Sequence, residues 1–279
     1  EQCSAVNSRI LRLAGDVLDA AVGDPVAGED LQGGVVQAAS GLFSLFVAHT
    51  WAMCTLIVSF KQHAEAPVLV AANRDEVRSR PATAPHPWVG EPFVAPLDVQ
   101  AGGTWLGLNR HGLFVGITNR FPSEKHDGRQ SRGTLVVEAL RATSARALRA
   151  TLEGLSPTRF NTFHLLYADA DAGFVTWSDG ASVHHAELEP GLHVVTERSL
   201  GGDDHGRTRL IEGAWPGLER QGGVPTVAAL EGLLARVNPS DPAGSVCVDV
   251  PAWNYGTRSA LVLVLAPRLA DARWYWADG

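Results

Sequence analysis

Residues 53–76 constrain this chain more than any other stretch. Met53, the only methionine, is followed at once by Cys54 and an apolar run, which returns through a second run into Asn73-Arg74-Asp75-Glu76. Thr55, Ile57, Val58 and Phe60 predict a strand over 54–60, and the apolar residues of 68–72 predict another, with 61–67 connecting them. Runs this close in sequence join most simply as a hairpin. Paired symmetrically about His63 and Ala64, they set Phe60 against Pro67 and Cys54 against Asn73, because partners in an antiparallel ladder sum to a constant. Arg74 and Asp75 then lie beside the sulfur.

A guanidinium next to a thiol stabilises the thiolate, which is the nucleophile, whereas a carboxylate alone does the opposite. If translation begins at Met53, the small side chain of Cys54 invites removal of the methionine, and Cys54 then carries a free α-amine. Such an amine has a pKa of roughly 7.7–8.0, so near neutral pH it can take the thiol proton and return it. Asp75 would hold the ammonium. Base and nucleophile would then sit on one residue. The plainer reading is that a strand cysteine is a small core hydrophobe; the sole methionine before it and the charged quartet at the other end of the hairpin weigh against that.

The motifs in order are Met53-Cys54-Thr55, Ala71-Ala72-Asn73-Arg74-Asp75-Glu76 with Arg80-Pro81, Gly102-Gly103-Thr104-Trp105-Leu106-Gly107, Thr118-Asn119, Ser131-Arg132-Gly133 and Tyr255-Gly256-Thr257-Arg258-Ser259. Together they resemble the NRDE family, that of transport and Golgi organisation 2, across essentially all of 53–279. The family is similar to N-terminal nucleophile hydrolases. The resemblance implies an α+β fold, a four-layer αββα sandwich of two antiparallel sheets between helical layers. It implies no particular substrate; eukaryotic relatives are tied to Golgi organisation and to haem or lipid handling.

The chain has 279 residues, 45% of them hydrophobic, enough for a substantial core. A net charge of −7 without runs of like charge excludes a nucleic-acid surface as an expectation. Three scattered cysteines, Cys3, Cys54 and Cys247, make neither a disulfide framework nor a zinc knuckle, and point to a reducing, cytoplasmic setting. No run reaches the roughly 20 apolar residues of a membrane span. Residues 41–52 come nearest, but they are short, and Asp24, Glu29 and Asp30 separate them from Arg9 and Arg12, so a signal peptide is rejected. Residues 1–52 lack methionine and share no motif with residues 53–279; they are expected to be an extension outside the native domain, 53–279. Within them, 9–22 has helical spacing.

Five prolines between Pro81 and Pro96 predict an extended loop rather than regular structure. Strands are predicted over 93–97, 104–109, 113–119, 161–168, 174–178, 182–188, 192–196, 246–250 and 259–265, and helices over 134–142, 144–155, 208–218 and 227–237. Gly102-Gly103 lacks the Lys-Ser/Thr of a phosphate loop and predicts close backbone approach instead. Residues 169–173 form a turn rather than a calcium loop, and His184 and His185 point to opposite strand faces, so no metal is expected. The run 261–265 suits a strand buried on both faces.

Asn119 ends its strand at a loop mouth, either as a turn residue or, by resemblance to related hydrolases, as a donor to an oxyanion. Arg132 is placed to meet an anionic substrate group. Arg258 either lowers the Cys54 pKa or clamps a substrate carboxylate. Glu197 departs from the family pattern, which often has asparagine there; a carboxylate repels developing negative charge unless it pairs with an arginine. The candidate catalytic set is Cys54, Arg74, Asp75, Asn119 and Arg258, with Asn73, Glu76, Trp105, Arg132 and Glu197 as substrate-contacting residues. The expected activity is hydrolysis or transfer of an amide-like or acyl group of a small molecule, without cofactor. The rival reading is a non-enzymatic carrier that uses the same pocket for a hydrophobic ligand such as haem or a lipid. The sequence does not specify an oligomeric state.

Overall fold

The computed structural model describes residues 54–121, 126–200, 206–219 and 223–279. The helix expected over 9–22 and the N-terminal extension lie outside the described residues. The opening runs form a hairpin of β1 (Thr55–His63) and β2 (Ala66–Val77), longer than their apolar cores because Asn73 to Val77 continue the strand. Its register differs by one from the symmetric pairing: Thr55, not Cys54, faces Asn73, and Phe60 faces Val68 rather than Pro67. The cause is local. The ladder shifts between Phe60 and His63, where Lys61 adopts φ 51°, and the turn closes on Ala64 and Glu65. A one-residue slip exchanges the faces of a strand.

The first sheet adds β10 (Gly191–Val195) beside β1 and β12 (Tyr255–Leu265) beside β2, with β11 (Asp249–Val250) and β13 (Arg273–Asp278) both pairing β12. The second runs in chain order through β3 (Ala82–Pro87), β4 (Phe93–Asp98), β5 (Leu106–Asn109), β6 (Phe114–Asn119), β7 (Phe163–Ala168), β8 (Gly173–Ser178) and β9 (Val183–Glu187). All the strand pairs are antiparallel. The proline-rich 81–96 segment is thus not all loop. β3 contains Pro85 and Pro87 and survives as an edge strand, where a missing N–H can face away from the ladder. The 246–250 strand shrinks to two residues.

Period-two alternation builds three cores. Leu56, Val58, Phe60, Val68 and Val70 from the first sheet meet Leu108, Phe114 and Leu166 from the second. Ile57, Leu69, Ala71, Val262 and Val264 point the other way, onto α3 (Arg207–Leu218) and α4 (Val227–Leu234). The far face of the second sheet packs Val115, Phe163 and Tyr167 on α1 (Arg132–Ala139) and α2 (Ala145–Leu152). Each large apolar side chain so buried contributes about 1.5–3 kcal/mol. The result is the αββα sandwich expected, with the 261–265 run buried on both faces. Ser144 caps α2 through Ala147 N–H as its position implies.

Gly102-Gly103 serves close approach. Gly102 has φ +68°, and a Cβ on Gly103 would stand 2.6 Å from the Gly133 carbonyl carbon. Thr104 N–H donates to Gly133 O at 3.4 Å, so the Gly-Gly-Thr-Trp and Ser-Arg-Gly motifs dock on each other and anchor α1 against the end of β5.

Candidate functional site

β2 distributes its charged quartet over two faces. Asn73 and Asp75 follow Leu69 and Ala71 toward the α3/α4 layer, whereas Arg74 follows Val68 and Val70 toward the other sheet and lies over the Trp105 ring, 4.3 Å from its centroid. Asn73 is spent on the fold: its amide donates to Leu234 O (2.9 Å) and Val246 O (2.8 Å), tying β2 to the end of α4. Both donors are therefore committed away from any substrate. Glu76 accepts from Val77 N–H and lies 3.7 Å from Arg74 and 3.6 Å from Arg80.

Cys54 opens β1 as a partly buried free thiol, its Sγ 3.9 Å from the Asp75 carbonyl oxygen. Burial first, then the Asp75 charge, push the thiol up to about 12, with Arg74 opposing and Glu76 adding to the rise. Arg132 is also within electrostatic reach of Cys54 and Glu76. Burial brings its pKa down to about 10, still a cation at neutral pH, and its Nη1 donates to Thr162 O at 2.9 Å.

Asp75 is fully buried. Its Oδ1 accepts from Thr257 Oγ1 at 2.6 Å, and its Oδ2 accepts no hydrogen bond among the described residues. Burial raises the pKa to about 7 against the opposing pull of Arg207 and Thr257, and Glu197 raises it further. Arg207, which the motif reading missed, organises this corner. It is 3% exposed; its Nη1 donates to Thr55 Oγ1 (2.9 Å) and its Nη2 to Ala243 O (2.8 Å). The same Nη1 lies 3.7 Å from Asp75 Oδ2 and 3.9 Å from Glu197 Oε2. Glu197 therefore does pair with an arginine. At the first turn of a helix Arg207 looks like an ordinary surface residue; the signal for it is charge balance, since a buried carboxylate next to a half-buried one requires a cation.

Asn119 closes β6 opposite Phe163, next to Thr162, which receives Arg132. The Glu197 loop is held at the same end: Phe121 N–H donates to Glu197 O (2.7 Å), and buried His164 bridges Thr118 Oγ1 (3.2 Å) and Ser199 O (3.0 Å). Burial drops His164 to about 4, so it holds this network as a neutral ring. Arg258 Nη1 donates to Gly279 O at 2.9 Å, and the side chain lines a recess with Arg74 and Trp105. His184 and His185 go to separate partners, Asp179 and Thr176, and among the described residues no cluster is placed to hold a metal ion. No described helix is long and apolar enough to cross a membrane.

The fold is shared with known hydrolases. The Caenorhabditis elegans ortholog of N-acylethanolamine-hydrolyzing acid amidase superposes with a TM-score of 0.50 at 12% identity, over 78% of this chain and 96% of that one. A variant of the conjugated bile acid hydrolase from Clostridium perfringens gives 0.53 at 11% identity, over 81% of this chain and 89% of that one. Sequence relatives are the Transport and Golgi organization protein 2 homologs of Bos taurus (29% identical) and Homo sapiens (26%), each aligned over 71% of this chain and 82% of the relative. The family profile described as Transport and Golgi organisation 2 matches residues 53–269. By that match the chain belongs to the Transport and Golgi organisation 2 family.

Proposed function

We propose that this protein is an N-terminal cysteine nucleophile hydrolase that cleaves an amide-like or acyl bond of a small molecule, with Cys54 as the N-terminal residue of the mature chain. The observation that carries this is the buried Asp75 Oδ2, which lacks a hydrogen bond beside the residue whose α-ammonium would supply one. The family match beginning at Met53 supports it. The names of the fold relatives, an acid amidase and a bile acid hydrolase, guide the choice of bond.

In this reading the Cys54 amine takes the thiol proton, and the thiolate forms a C–S bond to the substrate carbonyl carbon. Arg74 favours the thiolate, and Asn119 donates to the oxyanion. The ammonium returns its proton to the leaving nitrogen as the C–N bond breaks. Water, deprotonated by the same amine, then attacks the thioester; the acid leaves and the thiol is restored. Glu197, neutralised by Arg207, helps to hold Asp75 in place.

An electrophilic acyl probe tests the assignment. One equivalent should add to Cys54 of the chain beginning there, and none to a folded Cys54→Ala variant; undiminished addition to that variant overturns it.

One observation favours a carrier instead: with Cys54 internal, the thiol lies at about 12 and has no amine. The chain would then keep the fold without the chemistry. Haem or lipid binding that is unchanged by Cys54→Ala, in a chain that resists the probe, supports that reading.

A further inference from the structure

Arg74 and Arg258 line one recess of about 140 Å³ together with Trp105, Trp276, Ser259 and Asp278. Arg74 is 5% exposed, yet among the described residues its side chain makes no hydrogen bond; its partners are the Trp105 face and Glu76 at 3.7 Å. A guanidinium carries five N–H donors in a fork that matches a carboxylate. Arg258 spends Nη1 on Gly279 O, and its remaining donors make no hydrogen bond among the described residues. Ser259, 4% exposed, lines the same recess. The acceptors already nearby are Glu76, shared with Arg80, Asp278, which accepts from Trp276 Nε1 at 2.8 Å, and Gly279, which accepts from Arg258.

We propose that this recess is an anion-binding subsite that takes the carboxylate of a small organic acid, seated between Arg74 and Arg258 with Ser259 donating. Its size matches cavities of about 150 Å³ that hold a benzene-sized group. Arg74 also bears on the Cys54 thiol. On the hydrolase reading, the substrate would therefore be an acyl compound with an anionic end lodged here; the binding itself does not depend on that reading.

Thermal shift and calorimetry on the full chain test this with benzoate, neutral benzamide and inorganic phosphate. Benzoate should bind and raise the Tm while benzamide does not, and Arg258→Gln should weaken benzoate by about tenfold or more, the cost of charge-assisted hydrogen bonds. Equal response to benzoate and benzamide, undiminished binding by Arg258→Gln, or a response to phosphate alone overturns the proposal. If Arg258→Gln does not fold, 4-bromobenzoate in crystals of the unaltered chain decides: a bromine peak in the recess supports the subsite, and one only elsewhere refutes it. Benzoate binding by a chain whose Cys54 takes no acyl probe sinks the hydrolase and leaves the subsite. Probe addition without benzoate binding does the reverse.

Discussion

Arg207 Nη1 stands 3.7 Å from Asp75 Oδ2, with both side chains at most 4% exposed. A buried arginine from a helix thus confronts the carboxylate from the Asn-Arg-Asp-Glu strand end, and Glu197 completes the group at 3.9 Å. Removing one partner of such a group strands the others in low dielectric, at a cost of about 3–5 kcal/mol. Arg207→Met should lower stability by about that much in urea unfolding. Adding Glu197→Gln should recover part of the loss. Strict additivity of the two changes would mean that the pair is not coupled.

Burial raises the Asp75 pKa to about 7, well above the value of roughly 3.9 for an unfolded aspartate. Between these values the folded state binds the extra proton, so this group's contribution is fully present below about pH 4 and is lost as pH rises through 7. The unaltered chain with Cys54 internal should lose more Tm between pH 5 and 8 than Asp75→Asn does. Parallel pH profiles would contradict the raised pKa. A free ammonium at Cys54 would pull the Asp75 pKa down and narrow the difference.

Asn73 sits in the motif but serves the fold. Asn73→Ala should cost about 2–3 kcal/mol, because the buried carbonyls of Leu234 and Val246 lose their donors. Acyl-probe addition per folded molecule should stay unchanged. Loss of addition with stability intact would place Asn73 in the chemistry.

Gly103→Ala should be destabilising by about 1–3 kcal/mol, since its Cβ would meet Gly133 backbone at 2.6 Å and neither segment has room to give. Gly154→Ala, where a Cβ meets nothing within 4 Å, is the control and should change stability little. Equal unfolding midpoints for the two variants would show that the contact is not needed.

Much of this architecture is legible in the residues. The apolar, β-branched runs of 55–60 and 68–72 mark the central hairpin, and the uninterrupted 261–265 run marks the strand that both other layers cover. What escapes is set by single backbone events and by partners distant in sequence. The turn closes on Ala64 and Glu65, two units in register away from the symmetric pairing, and the irregularity at Lys61 (φ 51°) takes back one, leaving Thr55, instead of Cys54, opposite Asn73. Two prolines in β3 read as loop because a sequence does not say which strand will be an edge. The residues of the quartet stand out as a motif, but their division into Asn73 and Asp75 facing the helices and Arg74 facing Trp105 follows from register. Arg207 lies 132 positions beyond Asp75 and carries no motif; tertiary charge balance alone reveals it.

The most direct test of the central claim is the intact mass of the mature protein isolated from its own host. The account predicts a chain whose first residue is Cys54, with its α-amine free to meet Asp75. A mature chain in which Met53 or anything before it remains joined to Cys54 would contradict it, because the nucleophile would then have no base of its own.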